Sequence, residues 1–468
     1  MSQDRQSLPG NVAIRRRRLR REVVTVKRRR RRAGFRPRPW MVPAVFALVI
    51  LIGAFVLTLP ISSKSREWTG GVDALFTATS AVSVTGLVRF DTFEHWSGLG
   101  QVVIVLLIQA GGLGVTLYAG VLLLLFGNRF GLRGREFFGM ELMDYGERDI
   151  FRLLRRVMIF TFGMELVTFG LLLPWHLIDE PGGLAVWKSA FHAVSSFNNA
   201  GFDLQGGGLG FRGEVDEPYP IIVMSVAAFA GSLSFITIFN MRNPVRRWTL
   251  DTKLVVIGMF GFLVAGVLLF LVVETGEGRA LDGQGPLQAF VNAVFLSVNR
   301  TTGMSTVDMA AVADSTTAAL LLLMFIGGAS TSTASGIKVG TFMVSMVVVL
   351  SAVRGQHRAS AFGRDLPQAI VLRAVAVTIL GFFIFGAGIW LLELTDEFEF
   401  LPLMFEVMSA LANIGWSQGI TGDVSQAGAL ILTLLMFVGR LGPLYVALSV
   451  PDKPQTRYRF PEAGVRIG

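Results

Sequence analysis

The amino-acid sequence predicts an all-α integral membrane protein built from four tandem units, each span–short helix–loop–span, around one pseudo-fourfold axis, with eight full spans. Three observations predict it. The 468 residues are 52% hydrophobic and only 16% charged, with mean hydropathy +0.57, which is too apolar for a soluble globule. A serine six residues before a glycine recurs four times, at Ser80/Gly86, Ser195/Gly201, Ser297/Gly303 and Ser409/Gly415, with the glycines 115, 102 and 112 residues apart. Each copy follows a short apolar segment and lies between two segments of membrane length, as expected of a unit that needs its neighbours to complete a structure.

The elements follow in order. Residues 1–40 form a basic arm: fifteen Arg or Lys against Asp4 and Glu22 give +13 of a net +10, leaving −3 for the rest. Beside an apolar span this reads as a cytoplasmic arm near anionic headgroups and not as a nucleic-acid site. It is too long for a cleaved signal peptide, and no A-x-A site follows the first span. Repeat 1 (41–127) has a span at 41–60, where twenty helical residues rise about 30 Å. A short helix at 71–83 follows, with Asp73 placed to cap or lead it, then the Gly86 turn and a span at 98–126. Gly111, Gly112 and Gly114 allow close helix contact there. Repeat 2 (128–241) uses 151–178, 187–198, the Gly201 turn and 219–240. Repeat 3 (242–351) uses 252–274, 285–299, the Gly303 turn and 316–350. Repeat 4 (352–450) uses 369–394, 401–412, the Gly415 turn and 426–450. A cytoplasmic tail, 451–468, ends the chain. Phe76, Phe191 and Phe405 stand ten residues before their glycines; the third copy has Ala293 there, with Phe295 nearby.

Basic residues collect between repeats (Arg129 to Arg156, Arg242 to Lys253, Arg354 to Arg364) and acidic ones on the other side, so both termini are expected in the cytoplasm. The loops would open outward beneath an acidic vestibule. Cysteine is absent, which excludes disulfides and thiolate metal sites. The four histidines show no ligand spacing, and His192 reads as a packed, hydrogen-bonded side chain. No nucleophile–base constellation suggests an enzyme.

A glycine recurring at such turns can simply end a helix. Four of them suggest more: four loops of backbone carbonyls around one axis make a cation filter, the oxygens replacing an ion's lost water. The short segments then read as re-entrant pore helices, buried in protein or lining a water-filled cavity, with the negative ends of their dipoles towards the centre. The expected ion-binding ring is Val84, Thr85, Gly86; Asn199, Ala200, Gly201; Thr301, Thr302, Gly303; and Asn413, Ile414, Gly415.

Ser83 to Leu87, Phe197 to Phe202 and Arg300 to Gly303 resemble the filter segments of the Trk/Ktr/HKT superfamily of potassium transporters. The resemblance extends over 41–450, and eight spans with a short tail look most like the Ktr membrane subunit, as does the ending from Arg459 to Gly468. It implies K+ as the transported ion, with Na+ as a coupling or activating ion, or a sodium-selective or non-selective pore, as alternatives. Glycine at position 86, where sodium-selective plant members carry serine, favours K+. Asn413 and Trp416 depart from the family pattern. The resemblance also implies a homodimer in the cell membrane and a cytosolic nucleotide-binding regulatory ring of RCK type, docking on 127–150, 241–251 or 351–368. The chain itself has no G-x-x-x-x-G-K-[ST] motif. Repeats in a single orientation weigh against an alternating-access solute carrier.

The run Gly327, Gly328, Ala329, Ser330, Thr331, Ser332, Thr333, Ala334, Ser335, Gly336, Ile337, Lys338 interrupts 316–350, which as one helix would be about 52 Å long. It reads as an unwound loop in the position of the family's intramembrane gate, with a kinked packing helix as the alternative. Arg440, within an apolar span, needs a partner; in the family the matching Arg holds the gate loop. Lys338 places a second positive charge nearby. Arg300 is expected to brace the filter from behind, and Glu165 or Glu406 could pair with an arginine.

Overall fold

The computed structural model describes residues 41–126, 147–206, 211, 216–356 and 358–449. The basic arm, the tail, most of 127–150 and His357 lie outside the described residues. Everything described belongs to one compact unit.

The helices are α1 (Met41–Thr58), α2 (Gly71–Ser83), α3 (Thr92–His95), α4 (Gly98–Phe126), α5 (Glu147–Asp179), α6 (Gly182–Phe197), α7 (Pro218–Ser232), α8 (Phe235–Met241), α9 (Leu250–Val273), α10 (Pro286–Asn299), α11 (Asp314–Phe325), α12 (Val339–Val353), α13 (Gln368–Glu393), α14 (Phe400–Ala412) and α15 (Gln426–Ser449). A two-residue hairpin pairs β1 (Ser360–Ala361) with β2 (Arg364–Asp365). The short helices α2, α6, α10 and α14 fall on or near the expected segments. Asp73 lies in the first turn of α2 but does not cap it; the N-cap is Gly70.

The helices α2, α6 and α14 pack against the spans on both sides of them and α10 against α9, and each also packs against the second span of the preceding unit: α6 on α4, α10 on α7, α14 on α11, and α2 on α15. The fourth unit therefore closes onto the first. The outward faces are apolar, with Val272 77% and Phe383 72% exposed, the reverse of a soluble surface. By length and composition, Leu154–Asp179, Leu250–Val273 and Gln368–Glu393 can each cross a membrane.

Two expected spans are broken. The interruption of 316–350 falls at 326–338, between α11 and α12, as the length argument requires. The break in 219–240 was not expected: α7 and α8 meet at 99°. Ser234 causes it locally. Its hydroxyl caps α8 by accepting the Thr237 N–H at 3.4 Å, an N-terminal signal hidden inside an apolar run.

Candidate functional site

The four short helices end at the four glycine loops, and three of them end alike. In the first, second and fourth loops, the residues after the helix close a Schellman pattern. Thr85 N–H reaches Ser80 O at 2.8 Å, Ala200 N–H reaches Ser195 O at 2.8 Å and Ile414 N–H reaches Ser409 O at 2.9 Å. The left-handed residue that this motif demands is not glycine but Val84 (φ 58°), Asn199 (φ 58°) or Asn413 (φ 52°). The recurring glycine thus does not end the helix. It stands two residues beyond the cap, at a second positive φ.

The recurrent serine now has a physical role. Ser80 Oγ accepts Gly86 N–H at 3.1 Å and Ser409 Oγ accepts Gly415 N–H at 3.0 Å, so each anchors its own glycine. Ser195 instead donates to Phe202 O at 2.6 Å, and Ser297 turns away to Leu263 O. The third loop substitutes a tighter turn in which Gly303 N–H reaches Asn299 O at 2.8 Å.

The glycines meet one another's loops in a closed cycle. A Cβ on Gly86 would lie 2.6 Å from Ala200 O, on Gly201 2.2 Å from Thr302 O, on Gly303 2.3 Å from Ile414 O, and on Gly415 2.2 Å from Thr85 O. Each glycine abuts the carbonyl before the glycine of the next loop, and the fourth abuts the first. The twelve residues expected in the ring are brought together here. The Val84, Thr85, Asn199, Ala200, Thr301, Thr302, Asn413 and Ile414 side chains are buried.

Side chains lock the loops laterally. Asn413 Nδ2 donates to Thr85 Oγ1 at 2.9 Å and to Met436 O at 2.8 Å. Trp416 Nε1 donates to Met304 O at 3.0 Å. The two residues that depart from the family pattern thus bind the fourth loop to the first and the third. Asn199 Oδ1 accepts the hydroxyls of Ser232 (2.8 Å) and Thr302 (2.7 Å). Glycines on the outer spans let the helices approach. A Cβ on Gly111, Gly231 or Gly439 would sit about 2 Å from the carbonyl of Val82, Phe197 or Leu411. In each case that carbonyl lies four residues before the loop glycine, a relation that no local pattern reveals.

Among the buried ionisable groups, the two glutamates resolve differently from expectation. Glu165 accepts Asn198 Nδ2 at 2.8 Å. Glu406 accepts Ser417 Oγ, Gln418 N–H at 3.2 Å and Thr421 Oγ1 at 2.8 Å. Neither forms an ion pair with an arginine among the described residues: hydroxyl, amide and backbone N–H donors beside the loops already meet their oxygens. Arg300 donates to Leu323 O at 3.2 Å and to Ile326 O, and lies over the Phe262 ring. His192 accepts Leu204 N–H at 3.0 Å and contacts His176 at 3.3 Å.

The 326–338 segment is folded back on itself. Gly327 N–H reaches Ile337 O at 2.9 Å, and a Cβ on Gly327 would overlap Ser335 O at 1.6 Å. Arg440, 7% exposed, holds this segment by donating to Thr333 O at 2.7 Å and to Ser335 Oγ; its other nitrogen reaches Gly111 O on α4 at 2.7 Å. Lys338 donates to Ala334 O at 2.6 Å. Gly328 lies against Ser332 and Ala334, while Ser330, Thr331 and Ser332 are half-buried.

Comparison with known proteins follows the same outline. The TrkH family model, described as "Cation transport protein", matches residues 27–458. The chain is 34% identical to Ktr system potassium uptake protein B of Bacillus subtilis, over 92% of this chain and 96% of that one. It is 32% identical, with the same coverage, to the potassium/sodium uptake protein NtpJ of Enterococcus hirae. The crystal structure of the potassium transporter TrkH from Vibrio parahaemolyticus superposes with a TM-score of 0.69 at 17% identity, covering 91% of this chain and 87% of that one, a likeness of fold.

Proposed function

This chain belongs to the TrkH family of cation transport proteins, and from that premise we propose that it takes up potassium across the cell membrane through a channel-like pore whose filter is the four-loop ring. The observation that carries this reading is the closed cycle in which each glycine abuts the next loop's carbonyl. Val84 (φ 58°) and Gly86 (φ +93°) flank Thr85 at positive φ, a backbone suited to presenting its carbonyls to an ion. Four loops of carbonyls, the third built on a tighter turn than the others, replace a cation's hydration shell without a fixed carboxylate to bind it too tightly. The four units supply eight spans, and the 326–338 loop, held by Arg440, is the gate. The relatives' names support potassium as the ion; NtpJ's name keeps sodium as a second ion that the pore admits or uses.

In this reading both termini are cytoplasmic, and two copies of the chain form the working unit. A cytosolic nucleotide-binding ring docks on the cytoplasmic connections. Among these, 241–251 presents exposed Arg242 and Arg246, and 351–368 presents exposed Arg354 and, in its hairpin, Arg364. Expression in a cell deficient in potassium uptake, with and without such a partner, tests the proposal. Restored growth at low potassium is expected, and a solute carrier or an enzyme would not restore it.

The outer mouth offers a pH test. Asp203, half-buried two residues beyond Gly201, has its carboxyl pushed up to about 6, chiefly by burial, with Asp91 adding and Gln205 N–H and Lys188 opposing. It is charged at pH 7 and neutral at pH 5. Acidifying the outside through pH 6 should weaken apparent potassium affinity by roughly two- to fivefold as this attraction is lost. Asp203→Asn should flatten that part of the profile, and a profile identical to wild type would remove Asp203 from the vestibule. Stability has the opposite sign. A carboxyl raised in the fold destabilises it most above pH 6, and that cost vanishes as pH falls below the ordinary carboxylate range.

A further inference from the structure

We propose that Thr333 couples the gate loop to the filter through the side-chain amide of Asn199, so that releasing the loop loosens the ring beside it. This rests on the filter-and-gate reading above and adds to it a route between the two.

The unexpected break between α7 and α8 is where the loop is seated. A continuous helix would use the carbonyls of Gly231 and Ser232 for its own next turn. The 99° bend frees them, and the loop takes both: Thr333 N–H reaches Gly231 O at 3.1 Å and Ala329 N–H reaches Ser232 O at 3.0 Å. Ser234, which caps α8, also meets Thr331 Oγ1 at 2.9 Å. The second unit's hinge is thus a receptor for the third unit's loop.

From that seat Thr333 reaches the filter. Its hydroxyl donates to Gly231 O at 2.8 Å and accepts Asn199 Nδ2 at 2.8 Å. The oxygen of the same amide holds Thr302 of the third loop at 2.7 Å and Ser232 at 2.8 Å. The amide is planar, so one end cannot follow a departing loop without disturbing the other. Without Thr333, Asn199 Nδ2 keeps only Phe197 O, at 3.4 Å. Asn413, its counterpart in the fourth loop, spends its amide nitrogen on Thr85 and Met436 and not on the 326–338 segment. The link belongs to the second unit because the hinge does. Coupling of this kind is reciprocal: ions that order the ring also favour the seated loop.

Thr333→Val keeps the volume and both backbone hydrogen bonds and removes only the hydroxyl. In full-length protein reconstituted in liposomes, it should raise basal rubidium flux and also lower potassium-over-sodium selectivity, the latter by roughly three- to tenfold. Thr333→Ser should restore selectivity. Ser335→Ala, which loosens the same loop at Arg440 and leaves the Thr333–Asn199 bond in place, should raise flux and lower selectivity only through that bond, so that adding it to Thr333→Val lowers selectivity no further. Raised flux in Thr333→Val with wild-type selectivity would overturn the coupling. The shift in melting temperature of purified protein between potassium and sodium gives a readout independent of flux. It should shrink in Thr333→Val or, if that variant does not fold, in Ser234→Ala; an unchanged shift would overturn the proposal. Absence of any potassium–sodium difference in the wild type would instead sink the filter reading itself.

Discussion

Gly303→Ser is expected to remove most of the discrimination between potassium and sodium. The position has φ +87°, where an L-residue costs about 1–3 kcal/mol. The added Cβ also meets backbone on the neighbouring loop, Ile414 O at 2.3 Å and Gly415 Cα at 2.8 Å. Neither can yield by a side-chain rotation, so the fourth loop must move, and with it the carbonyl that the ring shares. A fall of about tenfold or more in the potassium-to-sodium permeability ratio is expected, since ~1.4 kcal/mol of uneven loss suffices. Gly86→Ser, against Ala200 O, should act in the same direction. Gly419→Ala is the control: its φ is +90° but nothing lies within 4 Å of the new carbon, so it carries strain without intruding on the ring. Equal selectivity in Gly303→Ser and wild type would count against the filter assignment.

Arg440→Ala should raise basal flux in the absence of any regulatory partner. The guanidinium joins three units: it extends from α15, holds Thr333 and Ser335 of the 326–338 loop, and reaches Gly111 O on α4. Charge-assisted hydrogen bonds of this kind contribute about 1.5–3 kcal/mol each. Even partial loss shifts a closed–open equilibrium by roughly tenfold. Arg440→Lys should recover only part of the restraint, because an ammonium on a flexible stem cannot hold the forked set of acceptors. Deleting 330–334 should act in the same direction by removing Thr333, one of the two residues that Arg440 holds. Tracer flux with matched amounts of monodisperse protein distinguishes these outcomes. Loss of folded protein without increased flux would make Arg440 a structural strut and not a latch.

Much of this architecture was legible beforehand, and particular residues show why. The ends of α2, α10 and α14 could be read closely because a short apolar run followed by a recurring Ser-x5-Gly is a local signal. The interruption at 326–338 was legible because a helix of that length overshoots the membrane and the run is small and polar. The α7–α8 break was not: Gly231 to Ser234 sits in an apolar stretch of ordinary span length, and only the loop that claims its carbonyls distinguishes it. The partners of Glu165 and Glu406 were equally hidden. A buried carboxylate suggests an arginine by charge alone, whereas here neutral donors beside the glycine loops are placed against both.

The sequence by itself determined the repeat, the positions of the short helices and loops, and the family. These depend on composition and on contacts a few residues apart, which periodicity records. Only the tertiary structure decided that the glycines face the next loop's carbonyls, that the left-handed residues before them are Val84, Asn199 and Asn413, and that Asn199 stands between the hinge and the third loop. The glycine contacts and the Asn199–Thr302 bond join residues about a hundred or more positions apart, from Asn199 to Thr302 and from Gly415 back to Thr85. They follow from closing four units around a common centre, where backbone meets backbone too closely for any side chain but hydrogen.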